Sequence, residues 1–324
     1  MSNDFIKIRV VGPGFGESIL INICDEYRIV IDSNNSLALY NGDKNIIEDF
    51  FGTLSDPIDF WMISHFHFDH FQNFTNFNNK YKIKKVYLPD FDTISDLENL
   101  IYSDTFYSKN DKLHSVDSRS QYTNIKKNAG KDYDKYTGKS FGCDNIADKR
   151  INNKNLIIKY YAMSHKDMMH SKANSIKGIG LKKTSGRVIN KSSYIVELNF
   201  GEFNALFLSD APNYRIRSVL SNIRKVDFVK LSHHGSLKSN TIHLLNLFKR
   251  KGTKDFVITP FDSKNLPNKT VLNWFYDNNR NCFVTKKNNR RKDELINFHL
   301  GQVFEVISNI SYYEIYRDFY YNEI

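Results

Sequence analysis

The sequence predicts an α/β (α+β) chain in which two mixed β-sheets pack face to face with helices outside. Three observations lead there. Residues 6–32 carry an antiparallel meander of apolar strands. A histidine-rich loop follows the apolar run Phe60-Trp61-Met62-Ile63 directly, and in the second half strands alternate with helices and end in polar, ligand-type residues.

In order, 6–11, 18–23 and 27–32 alternate as strands. The turn Gly12-Pro13-Gly14-Phe15-Gly16-Glu17 joins the first two. It is no phosphate loop, because it lacks GK[ST] and a strand follows it. A helix is expected near 45–51, a strand at 84–89 and a helix at 94–108. Residues 115–154 are polar with little periodicity and read as an insertion, whether a lid, a substrate contact or a partner surface. Strands are expected at 155–162, 192–198, 203–208, 226–231, 255–260 and 281–285, with helices at 241–248 and 268–277. The tail at about 293–324 is rich in Tyr and Phe and alternates enough for extra strands or a packed helix. At 324 residues and 40% hydrophobic, the chain is expected to form one domain over 1–324.

The segment His65-Phe66-His67-Phe68-Asp69-His70 places three of the chain's ten histidines and an aspartate within six positions. His65 and His67, two apart on an extended loop, turn the same way and chelate one ion; Asp69 and His70 follow too closely to join them and face a second. Imidazole and carboxylate suit Zn, Mn or Fe, and the lack of a thiolate argues against a closed structural zinc. Asp210, at the end of a strand and before Ala211-Pro212, is either a helix cap or a ligand. Its two oxygens and full charge suit it to hold two cations and offset their repulsion.

The H-x-H-x-D-H motif resembles that of the metallo-β-lactamase-fold superfamily of hydrolases. V-G-P-G-F-G-E-S-I-L-I at the start, I-V-I-D-S at 29–33 and His233-His234-Gly235-Ser236 after a strand resemble the hydrolase domain of the bacterial competence DNA-uptake channel. The likeness covers about residues 5–286. It implies a four-layer αββα sandwich, the metallo-β-lactamase fold, with a binuclear site. His65, His67 and His165 would hold one ion, Asp69, His70 and His233 the other, with Asp210 shared and Asp32 bracing the loops. The third histidine is His165 at its strand end or His170 deeper in the loop, with His165 favoured. Asp69 and His234 would be catalytic, His234 assisting the leaving group, although His233 and His234 are open to exchange. Ser236, Lys238 and Ser239 would grip a phosphate. A hydroxide between the ions would attack phosphorus. Two departures stand out: Phe71-Gln72-Asn73-Phe74 replaces a glycine pair, which bears on substrate access, and His67 stands where the channel domain commonly has Asp.

A formal charge of +10 and a pI near 9.2 favour polyanionic partners, although abundant Lys, Asn, Ile, Tyr and Phe also fit AT-rich coding. Basic clusters at 249–251 and 286–292 would form a track for a phosphodiester backbone if they face the site. The expected function is therefore a phosphodiesterase or nuclease on DNA or RNA with two divalent ions, Zn or Mn. The alternatives are a cyclic-nucleotide or choline-phosphate phosphodiesterase, a lactonase, or a metal-binding subunit of a larger complex such as a defence system. Insertion and tail leave a protein partner or a homodimer open. Cys24, Cys143 and Cys282 are too few and too scattered for a disulfide framework. No apolar run approaches the ~18 residues of a membrane span, and the start lacks a signal-peptide pattern, so no membrane association and a cytoplasmic location are expected.

Overall fold

A computed structural model describes residues 4–12, 17–34, 40–41, 44–52, 56–65, 67–71, 74, 77, 80–87, 143–163, 190–261, 265–280, 282–285 and 316–322, with backbone alone for 40, 41, 44, 68, 69, 316–320 and 322. The meander consists of β1 (Phe5–Val11), β2 (Ser18–Ile23) and β3 (Tyr27–Ile31), antiparallel throughout. All six positions of β2 are buried, because its sheet is covered on both faces. A short pair, β4 (Tyr40–Asn41) and β5 (Lys44–Asn45), leads into α1 (Ile46–Phe51), where Asn45 and Glu48 form a reciprocal capping box. Then β6 (Ile58–Met62) and β7 (Ile83–Tyr87) flank α2 (Phe68–Phe71) and add parallel to β3.

The second half repeats this plan. β8 (Cys143–Ile151), β9 (Lys154–Tyr161), β10 (Ile195–Phe200) and β11 (Phe203–Phe207) form an antiparallel meander. Then α3 (Asn213–Ser221), β12 (Phe228–Lys230), α4 (Ile242–Arg250), β13 (Asp255–Ile258), α5 (Lys269–Asp277) and β14 (Cys282–Val284) alternate, and their strands are parallel. Finally β15 (Tyr316–Asn322) returns to pair antiparallel with β1. The sheet orders are β15-β1-β2-β3-β6-β7 and β14-β13-β12-β11-β10-β9-β8.

One core, including Ile8, Ile21, Phe60, Ile158, Leu198, Phe207 and Phe228, joins the inner faces of the two sheets. A second, including Leu206, Val229, Phe256, Ile216, Leu245 and Phe275, lies between the second sheet and α3, α4 and α5. On the outer face of the first sheet, Arg9 ion-pairs with Asp49 of α1 at 2.6 Å and its guanidinium lies over Phe50. The layers therefore run α, β, β, α, as the sequence predicts.

Two expectations need correction. Residues 143–154 belong to the β8–β9 hairpin rather than to a long polar insertion. β8 pairs on one side with β9, breaks register between Asn145 and Ala147, and is half exposed, so it lacks the apolar signal of an inner strand. Its turn residues Asn152 and Asn153 have φ of 53° and 118°, a conformation that Asn tolerates and that matches the strand twist. The rest of that insertion, the helix at 94–108 and the tail at 293–315 lie outside the described residues. The basic cluster 249–251 sits at the wrong edge for a track. Lys251 accepts from Val226 at 3.2 Å, where β12 begins, whereas the histidines follow its end. Residues 286–292 lie outside the described residues. No helix among the described residues is long and apolar enough to cross a membrane.

His233, His234 and Gly235 turn consecutively at φ of 48°, 53° and 75°. A Cβ on Gly235 would lie 2.6 Å from Pro267 Cβ. Gly235→Ala is therefore expected to lower unfolding free energy by about 1–3 kcal/mol, measured by denaturant titration.

Candidate metal centre

The direction of every strand near the site follows from its pairing, so β1, β3, β6, β9, β11, β12 and β13 all end at one edge of the sandwich. Carboxyl ends of parallel strands are where side chains on loops converge. Asp32 follows β3, His65 follows β6, Ser209 and Asp210 follow β11, and His233 and His234 follow β12. Among them Asp32, Ser209, His233 and His234 have φ of 61°, 47°, 48° and 53°. Such left-handed turns cost about 1–3 kcal/mol each and are held by the surrounding packing.

Asp32 is fully buried. Its carboxylate accepts from Ser64 N at 2.6 Å, Ser64 Oγ at 2.7 Å and His70 Nδ1 at 2.8 Å. Burial pushes its carboxyl pKa up, against the pull of His70 and Ser64. Ser64 Oγ spends its single proton on Asp32, so Ser209 Oγ donates to it at 2.6 Å. Both hydroxyl oxygens then act as acceptors for His65 Nδ1, at 3.0 and 3.1 Å. His65 and His70 thus carry their protons on Nδ1 and turn Nε2 inward. Burial first, then the neighbouring His70 ring, holds the His65 pKa well below its ordinary value.

Inward of these rings lies Asp210. Its Oδ2 is 3.7 Å from His65 Nε2 and 3.9 Å from His233 Nε2, and its Oδ1 is 3.9 Å from His70 Nε2. Oδ1 is buried without a hydrogen-bond partner. The carboxylate does not cap α3, whose N-cap is Pro212 with no side-chain bond. Burial pushes the Asp210 carboxyl up, but the surrounding His233, His65, His70 and His234 rings outweigh that push and hold its pKa below the usual range. Neutral imidazole nitrogens and a carboxylate aimed at one another repel unless a cation lies among them. The donor set therefore fits a divalent ion, and one ligand atom each of His65, His70 and Asp210 lie within 4.8 Å of one another.

The remaining expected residues divide. His67 Nδ1 is 3.0 Å from His65 Nε2, within reach of the same ion. Asp69 falls in α2 with its side chain outside the described residues, and His165 and His170 lie wholly outside them. His233 is 29% exposed and opens toward solvent, whereas His234 is buried and its Nδ1 donates to the Thr259 carbonyl at 2.8 Å. Ser236 and Lys238 are accessible on the following turn; Ser239 is buried there, and its carbonyl accepts from Asn213.

Sequence reasoning missed Ser64, Ser209 and Asn190. Asn190 Nδ2 lies 3.1 Å from His233 Nδ1, and Asn190 Oδ1 is buried without a partner. Amide oxygen and nitrogen are interchangeable by a half-turn. With Oδ1 toward the ring, the amide satisfies its orphan oxygen, places the His233 proton on Nδ1 and leaves Nε2 facing Asp210. A serine beside a metal-type histidine is the one signal the sequence offers for Ser64; Asn190 has none.

No protein-family model and no curated protein matches the chain. Among solved structures it is similar to the metallo-β-lactamase fold protein YhfI from Bacillus subtilis, with 13% identity over 83% of this chain and 93% of that one and a TM-score of 0.40. It is similar to CmlA, a diiron β-hydroxylase from Streptomyces venezuelae, with 11% identity over 87% of this chain and 52% of that one and a TM-score of 0.45. It is also similar to Igni18, a metallo hydrolase from Ignicoccus hospitalis, with 12% identity over 78% and 81% and a TM-score of 0.40. All three likenesses are distant. None supports the narrower resemblance to the competence channel.

Asn190→Ala is expected to weaken metal binding by about 10- to 100-fold, and Asp210→Ala to weaken it further. Competition with a chromogenic chelator measures both, and wild-type affinity in either variant would refute the assignment.

Proposed function

We propose that the chain is a metal-dependent hydrolase of phosphodiesters, with DNA or RNA as the first substrates to test. The carrying observation is Asp210, a buried carboxylate with an orphan oxygen, its two oxygens turned toward three imidazoles. Two divalent ions, Zn or Mn, suit this set, with His65 and His67 on one, His70 and His233 on the other, and Asp210 between. Asp69 and His165 are the further ligands proposed from the sequence. Bound there, the ions supply Lewis acidity and offset negative charge that builds on an attacked phosphorus.

The chain's own residues do the rest. Asp32, Ser64 and Ser209 hold His65 and His70 in one tautomer. Ser236 and Lys238 are placed to grip a phosphate oxygen. His234, with Nδ1 committed to Thr259, presents Nε2 as the atom that holds a proton for the leaving oxygen. The net charge of +10 supports a polyanionic substrate. A second reading, a small phosphodiester in place of a polymer, is favoured by the position of Lys249, Arg250 and Lys251 at the edge away from the site.

Metal-loaded protein is expected to cleave linear DNA or RNA, with a rate that falls steeply with salt, and Asp210→Ala to abolish cleavage. Hydrolysis of a chromogenic phosphodiester alone would select the small-molecule reading. No turnover by metal-loaded protein would sink both.

A further inference from the structure

Behind the histidines lies a charged pair that the proposed chemistry does not touch. Lys230 ends β12 with no exposure to solvent, and its Nζ contacts Oε2 of Glu17, which is 1% exposed. Burial drives the Lys230 pKa well down. Removing such ions from water costs several kcal/mol, about what their attraction returns, and an apolar pair of similar volume often serves stability as well. Stability alone therefore gives poor reason for the pair. What a charged acceptor adds is direction.

That direction runs to His234. Glu17 enters from the turn between β1 and β2, Lys230 from the other sheet, and Thr259 from the end of β13. Thr259 Oγ1 donates its only proton to Glu17 Oε2 at 2.9 Å. Both Thr259 oxygens are thereby left as acceptors on the Nδ1 side of His234, the carbonyl at 2.8 Å and Oγ1 at 3.4 Å. Gly12 closes the other side: a Cβ there would lie 3.0 Å from Thr259 Cγ2, so Thr259 is pinned against the turn. Asp32 and His70 also face Glu17, with ligand-type atoms within 4.8 Å. Asp32 is already saturated by Ser64 and His70, and Thr259 is the route by which the pair reaches the His234 side.

We propose that the buried Glu17–Lys230 pair is a positioning device that fixes Thr259 and, through it, the tautomer and direction of the His234 ring. The inference rests on the reading of His234 as the group that protonates the leaving oxygen. Without Glu17, the Thr259 hydroxyl turns to donate to Nδ1, and the imidazolium that protonates the leaving oxygen from Nε2 loses an acceptor that holds its Nδ1–H.

The test compares two phosphodiesters, one with a nitrophenolate leaving group that needs no proton and one with an alkyl alcohol that does. The double variant Glu17→Met/Lys230→Met removes both charges and the acceptor of the Thr259 proton while roughly keeping the volume. It is expected to retain metal, unfolding midpoint and nitrophenyl ester hydrolysis, while alkyl ester hydrolysis falls about tenfold or more. Glu17→Leu/Lys230→Met, a second apolar pair, is expected to shift the ratio the same way and stands in if the first double variant does not fold. Equal loss on both esters, or loss on neither, overturns the inference. Long-range 15N spectra of histidine-labelled Zn protein give a readout without substrate. His234 is expected as the Nδ1–H form in the parent and mixed in either variant, and an unchanged spectrum overturns the inference. His234→Ala separates the two levels: if it slows both esters alike, the parent reading of His234 fails. If it discriminates while the pair variants do not, only the positioning role fails.

Discussion

The Asp32 carboxylate holds both ends of the histidine loop. It takes the backbone and hydroxyl of Ser64 at the loop's start and the ring of His70 at its end, while Ser33 N donates to the His70 carbonyl at 2.8 Å. A carboxylate with no contact with water is costly, and three short donor contacts offset that cost. The side chains it holds are the ones that must be immobile. From Ser64 the order passes to the second sheet through Ser209 Oγ and through Tyr194 N, which donates to the Ser64 carbonyl at 2.9 Å. One buried acid thus aligns two sheets at the edge where the imidazoles meet.

Those imidazoles stand on unfavourable backbone. Left-handed φ values at Asp32, Ser209, His233 and His234 recur where three different strands end, and the cost is borne by the two apolar cores beneath. The hydrogen bonds from His233 N to the Ser209 carbonyl, and from Asn268 N to the Gly235 carbonyl, lock the turn from either side. Rigid strands carry the strain and short turns aim the side chains.

Charge is arranged in two tiers. In front, Asp210 faces three imidazole nitrogens, an arrangement that calls for a cation. Behind, a further buried carboxylate, Glu17, is matched by a protein cation, Lys230. A lysine with fixed geometry leaves the front tier as the place where a divalent ion is favoured, since imidazole lone pairs point there and not toward Glu17.

The alternation of the first meander and the strand-helix repeats of the second half were legible in sequence, because local periodicity is a property of neighbours along the chain; the helices capped by Asn45, Thr241 and Asn268 fall where that periodicity places them. The density of histidine around 65–70 was legible for the same reason. The edge strand β8 was not, because a half-exposed strand has no apolar run to declare it. Glu17 and Lys230 left only a faint trace, single charges inside apolar stretches, since residues more than two hundred positions apart meet only when the sheets pack. The same holds for Asn190 beside His233 and Ser209 beside His65. Sequence by itself determined which side chains were available and which strands would end in them. Tertiary structure alone decided which nitrogen of each ring carries the proton, because that depends on partners brought in from another strand.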